Sequence, residues 1–448
     1  MANNPVTVIG AGLAGSEAAW QLANRGVPVT LVDMKPLKFS PAHHMETCAE
    51  LVCSNSLKAE HLANGSGLLK AEMKKLNSLI LAAAEKSRVP AGAALAVDRD
   101  KFSEEVTRRL AAHPLIAMEH RLVTALPDAP CIVATGPLTD PALTDALTAL
   151  PHLSSLHFFD AAAPIVTAES IDMNRAFRAS RYEKGSDYLN CPMTREEYDA
   201  FYEALISAEL AEVHDFEKKL VFEGCLAVEI LAGRGHDTLA FGPLKPVGLT
   251  DPHTGKRPYA VVQLRQENET ATLYNLVGFQ TRLKWGEQKR VFRMIPGLER
   301  AEFARYGVMH KNAYLNGPEA LVRNYAWKEN PLVRFAGQFS GVEGYVESAA
   351  SGMVAAIGLA QALSGREETD FTGQTLLGAL ARHVSTPTPN FQPMNANFGI
   401  VPLPEKRVRG GKTARNEVLA ARSLAWIDSY TGRATDTTED ETGRAEQA

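Results

Sequence analysis

The chain has 448 residues, 45% of them hydrophobic and 22% charged, with a net charge of −5. The length excludes one ordinary core and calls for two or three domains, and the composition is ordinary for a globular protein. The mildly acidic balance weighs against one large nucleic-acid surface, though charge can be local, and no apolar run reaches the roughly 18 residues that a membrane span needs.

The first predicted element is a strand, Val6-Thr7-Val8-Ile9, that runs into Gly10-Ala11-Gly12-Leu13-Ala14-Gly15 and then an alanine-rich helix. In a dinucleotide fingerprint Gly10 permits the tight turn, Gly12 leaves the pyrophosphate unobstructed, and Gly15 lets the helix lie on the strand. Amides at the new helix N-terminus face the phosphates. A second strand, Val27 to Val32, ends on Asp33, about 20 residues beyond the glycines, where an acid holds a ribose hydroxyl. Strand, glycines, helix, strand and acid together predict a nucleotide cofactor. The first strand begins at once and leaves no room for a signal peptide, which favours the cytoplasm. The five cysteines, Cys48, Cys53, Cys131, Cys191 and Cys225, form no CxxC pair and no metal-ligand spacing, which suits a reducing compartment and predicts no metal site. His43 and His44 are adjacent and lack the spacing of a helical zinc pair.

Around Pro36 to Pro41 the pattern breaks into a loop, and Glu50 to Leu57 runs from an apolar patch into Ser and Asn. The periodicity of Leu68, Leu69, Met73, Leu76, Leu79 and Ile80 predicts a helix over 66–86, and Lys101 to Leu110 reads as another, with Asp98 or Asp100 at its start. Cys131 to Pro137 is a buried strand ending in Ala-Thr-Gly. From about residue 150 the segments shorten, and Tyr259–Leu264 with Thr272–Val277 reads as a hairpin. The texture of the N-terminus returns late. Leu332 to Gln338 is a strand ending at Gly337, followed by Gly341-Val342-Glu343-Gly344-Tyr345 and a helix of small residues, Glu347 to Leu363. A second glycine-rich strand-to-helix turn can aim amides at a flavin ring. Paired with the first fingerprint, it makes FAD the expected cofactor.

The expected fold class is α/β: a discontinuous, Rossmann-like FAD-binding domain, residues 1–149 and 291–433, with a mixed α/β insertion, 150–290, for substrate. Residues 434–448, rich in Thr, Asp and Glu, read as a disordered tail.

Two cysteines stand in turn-like settings, Cys53 in Val52-Cys53-Ser54-Asn55 and Cys225 after Gly224. A thiolate is a strong nucleophile once a cation or a helix N-terminus favours it, although a single cysteine is more often a buried apolar residue. Cys131 and Cys191 keep that plain role. Two basic clusters are interleaved with other side chains: Arg282, Lys284, Lys289, Arg290 and Arg293 around Trp285 and Phe292, and Lys406, Arg407, Arg409, Lys412 and Arg415 around Gly410 and Gly411. Such clusters contact phosphates and bases, or are simply solvated. Gly410-Gly411-Lys412-Thr413 lacks the upstream glycine of a P-loop, which is Lys406 here.

With these residues assembled, the chain closely resembles the folate- and FAD-dependent tRNA (uracil-5-)-methyltransferases. The resemblance spans roughly residues 5–430 and rests on Pro41–His44, Glu50–Leu57, Ala91–Asp100, Phe158–Val166, Phe222–Cys225, Trp285–Phe292, Gly341–Tyr345 and Phe391–Gly399. It implies methylation of the T-loop uridine of tRNA at carbon-5, with carbon from 5,10-methylenetetrahydrofolate and FAD reduced by NADH or NADPH. It matches Cys53 and Cys225 to the two family cysteines. Carbon-5 of uracil is a poor nucleophile until a thiolate adds at carbon-6, and a second group must then remove the carbon-5 proton. Cys225 is the expected nucleophile and Cys53 the base or flavin-side partner, or the reverse. Glu343 is a candidate for the pterin's amino edge. Asp33 stands where the family commonly has Glu, and Leu226-Ala227-Val228-Glu229 lacks the usual proline beside Cys225. The alternatives are the same chemistry on a 23S rRNA uridine, a small-molecule flavin oxidoreductase, and a flavin-containing RNA-binding protein similar to the partner-dependent wobble-uridine flavoproteins.

Overall fold

Short β-branched runs beside glycine turns build one parallel sheet, in the strand order Val333–Phe335, Cys131–Val133, Val6–Ile9, Val29–Asp33 and Ile116–His120. The computed structural model of the chain describes residues 5–183, 185–211, 226–371, 373–388, 391–406 and 408–445. The sheet mixes strands from both ends of the sequence, as the discontinuous Rossmann-like reading requires. The helices Leu13–Ala23 and Tyr345–Leu363 pack directly on each other. Small residues make that approach possible: a Cβ at Gly352 would stand 2.1 Å from the Ala14 carbonyl oxygen. Tyr345–Leu363 is by length and composition apolar enough to cross a membrane, but 78% of its apolar window is buried inside the protein. A count of unbroken apolar runs overlooks it because Glu347 and small polar residues interrupt the stretch.

The run over 66–86 is two helices, Gly65–Lys75 and Leu79–Lys86. Asn77 takes a left-handed conformation, φ 58°, and the Ser78 hydroxyl accepts from the Leu81 amide at 3.2 Å. Both residue types stop one helix and start the next while the apolar face stays in phase. The helix Arg99–Ala111 starts at Asp98, whose carboxylate accepts from the Lys101 amide at 3.2 Å.

The insertion is built on an antiparallel sheet, ordered Phe177–Ala179, Tyr188–Met193, Ala260–Gln266, Leu273–Leu276, Ile165–Thr167 and Phe303–Arg305. The expected hairpin is its centre, with Leu264 opposite Leu276. Packing carries this unit past residue 290: Val291, Phe292, Ile295, Leu298 and Ala301 belong to its core, and Phe303–Arg305 is its edge strand. A paired ribbon, Ser155–Ala161 with Met309–Leu315, links it to the parallel-sheet domain.

The last helix, Gly411–Ala445, reaches into the residues that composition assigned to a disordered tail. Leu419, Ala420 and Ile427 anchor it in the core, and an established helix propagates at one hydrogen bond per added residue.

Candidate active site

Two clefts meet beyond the carboxyl ends of the parallel strands, the usual ligand edge of such a sheet. The first, about 1130 Å³, is lined by Gly10, Gly12, Leu13, Ala14, Asp33, Ala134–Gly136, Gly337, Gln338 and Tyr345, among others. Gly10 has φ 96°, and a Cβ there would lie 2.6 Å from the Ala134 carbonyl oxygen. At Gly15 a Cβ would lie 1.8 Å from the Gly10 carbonyl oxygen, so this glycine sets helix-to-strand contact rather than touching the cleft. Gly12 differs from both: it caps the helix, and a Cβ there meets nothing within 4 Å. That open space lies at a helix N-terminus with no acid in the first turn, which is a cradle for a pyrophosphate.

Asp33 accepts from the amides of Ala11 at 2.6 Å and Lys35 at 2.8 Å, which holds its carboxylate at the cleft wall. Ala11 itself acts through that amide and does not line the cleft. Gly337, at φ 77°, lines it, and its amide donates to the Ser351 hydroxyl at 2.7 Å. These residues fit FAD: Gly10, Gly12, Leu13 and Ala14 would hold its pyrophosphate and Asp33 a ribose hydroxyl, with Gly337 and Gln338 lining the rest of the cleft. Gly341 is not brought to either cleft. It has φ 97°, and a Cβ there would press into the Phe391 ring at 2.6 Å, so it serves packing of the turn.

The second cleft, about 1100 Å³, shares Val52, Pro137, Leu138, Gln338, Tyr345 and Ser348 with the first. Cys53, Lys58, Gln280 and Glu343 also line it. Cys53 is half-buried, whereas burial pushes the Cys48 thiol up to about 11 and those of Cys131 and Cys191 up to about 12. The Glu343 carboxylate accepts from the Gln338 side-chain amide nitrogen, so both side chains point to one wall. Lys58 sits in a left-handed conformation, φ 65°, with its ammonium 2.9 Å from Glu347 and 3.1 Å from Asn395.

The Cys53 loop is held by groups distant in sequence. The Tyr345 hydroxyl accepts from the amides of Cys53 at 2.6 Å and Ser54 at 3.1 Å. Arg99 donates to the carbonyls of Leu51 at 2.5 Å and Cys53 at 3.3 Å, and Arg305 donates to that of Val52. Arg265 reaches Asn55 at 2.8 Å and Ser54 at 2.7 Å. Arg99 also pairs with buried Glu267 at 2.7 Å. The three guanidiniums interact electrostatically with Cys53. Burial lowers the affinity of Arg265 and of Arg305 for the proton, the second helped by repulsion from Arg99. Two of these arginines come from the insertion and one from the parallel-sheet domain, so Cys53 sits where the units join. Sequence reading missed Tyr345 and the three arginines as site residues; only their place near or within the family motifs marked Arg99 and Tyr345.

Cys225 lies outside the described residues. The segment after it is tied to the second cleft: the Val228 amide donates to the carbonyl of Gln280, a lining residue, at 2.7 Å. Buried Glu229 accepts from the Thr281 hydroxyl at 2.9 Å and the Arg282 amide at 3.0 Å, and desolvation raises its carboxyl above the usual range. Ala227, in place of the family's proline, is extended (ψ 144°) and caps the helix Val228–Ala232.

Of the basic clusters, Lys284 pairs with Glu209 at 2.8 Å and Arg290 with Glu287 at 2.5 Å, while Arg293 holds the Ala301 carbonyl. Lys406, Arg409 and Lys412 have no ion pair among the described residues, and Arg407 lies outside them.

The family model described as glucose inhibited division protein A matches residues 5–367. A methylenetetrahydrofolate–tRNA-(uracil-5-)-methyltransferase TrmFO from Brevibacillus brevis is 54% identical over 433 residues, 96% of this chain and 99% of that protein. The protein of the same name from Acetivibrio thermocellus is 58% identical over 431 residues, again 96% and 99%. Among solved structures, GidA from Aquifex aeolicus matches with a TM-score of 0.69 at 15% identity, covering 95% of this chain and 73% of that one, a likeness of fold.

Proposed function

The chain belongs to the methylenetetrahydrofolate–tRNA-(uracil-5-)-methyltransferases, and we propose that its chemistry runs at Cys53, where the cofactor cleft opens into the second cleft. It methylates carbon-5 of a uridine in tRNA with 5,10-methylenetetrahydrofolate as the carbon donor and FAD as the cofactor. The finer reading is that the uridine lies in the T-loop, that NADH or NADPH reduces the flavin, and that the enzyme works in the cytoplasm.

The observation that carries the reading is the shared wall of the two clefts, with the Cys53 loop beside it. FAD, when bound, supplies the reducing equivalents that turn a methylene into a methyl group. The protein's part is to present a uracil between a thiol and that wall. A thiolate adds to carbon-6 of uracil, and the electron pair moves to the carbon-4 oxygen. Carbon-5 then attacks the methylene as one of its bonds to a folate nitrogen breaks; a base removes the carbon-5 proton as the second carbon–nitrogen bond breaks and tetrahydrofolate leaves; and reduction of the resulting exocyclic methylene expels the sulfur and restores the ring. Three arginines around the Cys53 loop give a negative sulfur a favourable field. Cys53 and Cys225 divide the roles of nucleophile and base, with Cys225 the nucleophile in the assignment favoured here. Glu343, fixed by Gln338, suits the amino edge of a pterin.

The test is methylation of a T-arm transcript by the purified FAD-bound chain, with methylenetetrahydrofolate and NAD(P)H. Product at carbon-5 is expected only with that donor. Full activity with S-adenosylmethionine as sole donor overturns the reading. A 5-fluorouridine transcript should trap a covalent adduct with the wild type and with Cys53→Ala, and none with Cys225→Ala; the opposite pattern reverses the roles. Loss of the modification from 23S rRNA but not from tRNA in a deletion strain would shift the substrate.

A further inference from the structure

We propose that Trp285, Tyr306 and Phe303 form a stacking platform for the bases of the RNA loop that flank the target uridine. This rests on the tRNA-methylation reading above and adds where the rest of the loop lies. The three rings form a near-parallel ladder: Trp285 and Tyr306 have centroids 5.6 Å apart at 13°, and Tyr306 and Phe303 5.2 Å apart at 16°. The ladder is rooted at one end and open at the other. Phe303 packs against the core of the insertion, while Trp285 is 62% exposed. Gly286 places no side chain beside it, and a Cβ there would meet nothing within 4 Å.

The platform is braced on both sides, and the segment that carries Tyr306 borders the second cleft. Gln288, on the helix that begins with Trp285, donates to the Gly307 carbonyl and accepts from the Gly307 amide, both at 2.8 Å. That clamps the helix to the segment carrying Tyr306. One residue before Tyr306, Arg305 holds the Val52 carbonyl next to Cys53. One residue after it, a Cβ on Gly307 would stand 2.7 Å from the carbonyl oxygen of Ala162, a cleft-lining residue. A uridine flipped into the cleft leaves its neighbours unstacked at this rim, and an open indole face with parallel rings behind it is the surface such bases take. Lys289 on the same helix is exposed and has no ion pair among the described residues, while Arg290 is held by Glu287, so Lys289 is the charge that suits a phosphate backbone rather than an apolar partner.

The experiment is equilibrium binding of a T-arm hairpin RNA to the full-length, FAD-bound chain over a series of salt concentrations. Wild type, Trp285→Ala, Trp285→Phe and Lys289→Ala are compared, with FAD content and circular dichroism confirming the fold. Trp285→Ala should weaken binding about tenfold, the scale of one lost base stack, with an unchanged dependence on salt. Trp285→Phe should recover most of that loss. Lys289→Ala should instead flatten the salt slope by about one. Wild-type affinity in Trp285→Ala, or a Trp285→Phe protein as weak as Trp285→Ala, overturns the platform. Failure of the wild type to bind or methylate the hairpin overturns the tRNA reading, and the platform falls with it.

Discussion

Gly12 and Gly15 belong to one fingerprint, yet alanine should affect them in opposite ways. At Gly12 the backbone is extended (φ −72°, ψ −170°), open to any residue, and an added methyl meets nothing within 4 Å. Losing glycine at a helix N-cap costs about 0.5–1 kcal/mol. Lower entropy of the unfolded chain returns about 0.4–1 kcal/mol. The two nearly cancel, so apo Gly12→Ala should melt within a degree or two of apo wild type. The methyl nevertheless stands where a pyrophosphate approaches the backbone, and FAD affinity should fall by one to two orders of magnitude. At Gly15 the methyl would lie 1.8 Å from the Gly10 carbonyl oxygen and 3.3 Å from the Ala134 Cβ. The carbonyl is backbone and cannot rotate away, so helix and strand must part, at a cost of about 1–3 kcal/mol or more. Apo Gly15→Ala should therefore melt several degrees lower before any cofactor is added. The assay is differential scanning fluorimetry of the stripped proteins, then FAD titration followed by flavin fluorescence. A Gly12→Ala protein that binds FAD like wild type, or that is destabilised in its apo form as much as Gly15→Ala, would refute the division of labour.

Other substitutions follow from the same geometry. Tyr345→Phe removes the shared acceptor of the Cys53 and Ser54 amides, each worth about 1–3 kcal/mol when buried and unpaired; kcat should drop about 10- to 100-fold while FAD absorbance is kept, as single-turnover assays would reveal. Glu72 is buried beneath the start of the helix Leu376–Ser385, where it accepts from the Leu376 and Leu377 amides at 2.8 and 2.9 Å, yet desolvation raises its carboxyl to about 7 from 4.5. Between those values the folded protein holds a proton that the unfolded chain has released, so stability falls as pH rises, by about 3 kcal/mol across the window. Glu72→Gln should flatten the decline of Tm from pH 4.5 to 7, and an identical slope in both proteins would contradict it. Glu368→Ala strands the fully buried Arg334, which it now pairs at 2.6 and 2.9 Å. Denaturant unfolding should show a loss of about 3–5 kcal/mol, and Arg334→Met with Glu368→Ala should regain part of it.

What the sequence disclosed follows from how far apart the interacting groups lie. The cofactor cradle is local: Gly10, Gly12 and Gly15 act within six residues of one another, and Asp33 reaches Ala11 by pairing of adjacent parallel strands. Turn geometry and strand register therefore expose it in one dimension. The break between Gly65–Lys75 and Leu79–Lys86 was also written locally, in Asn77 and Ser78, but a hydrophobic face that stays in phase across it masks the signal. The Cys53 loop is the contrary case. Its backbone is fixed by Tyr345 and Arg305 and its Ser54 and Asn55 side chains by Arg265, each more than 200 residues away. An arginine buried for a carbonyl on another unit looks, in sequence, like an arginine on a solvated strand. Arg265 illustrates this, lying in a strand whose seven residues are all buried. The insertion's edge strand has the same consequence. Because Phe303–Arg305 completes that sheet, Arg305 can reach Val52 and Tyr306 can stack between Phe303 and Trp285. The strand pairing that closes the insertion thus also places a cation beside Cys53 and an aromatic ladder at its rim, so a change that frees this strand should disturb both the thiol's surroundings and the RNA surface together.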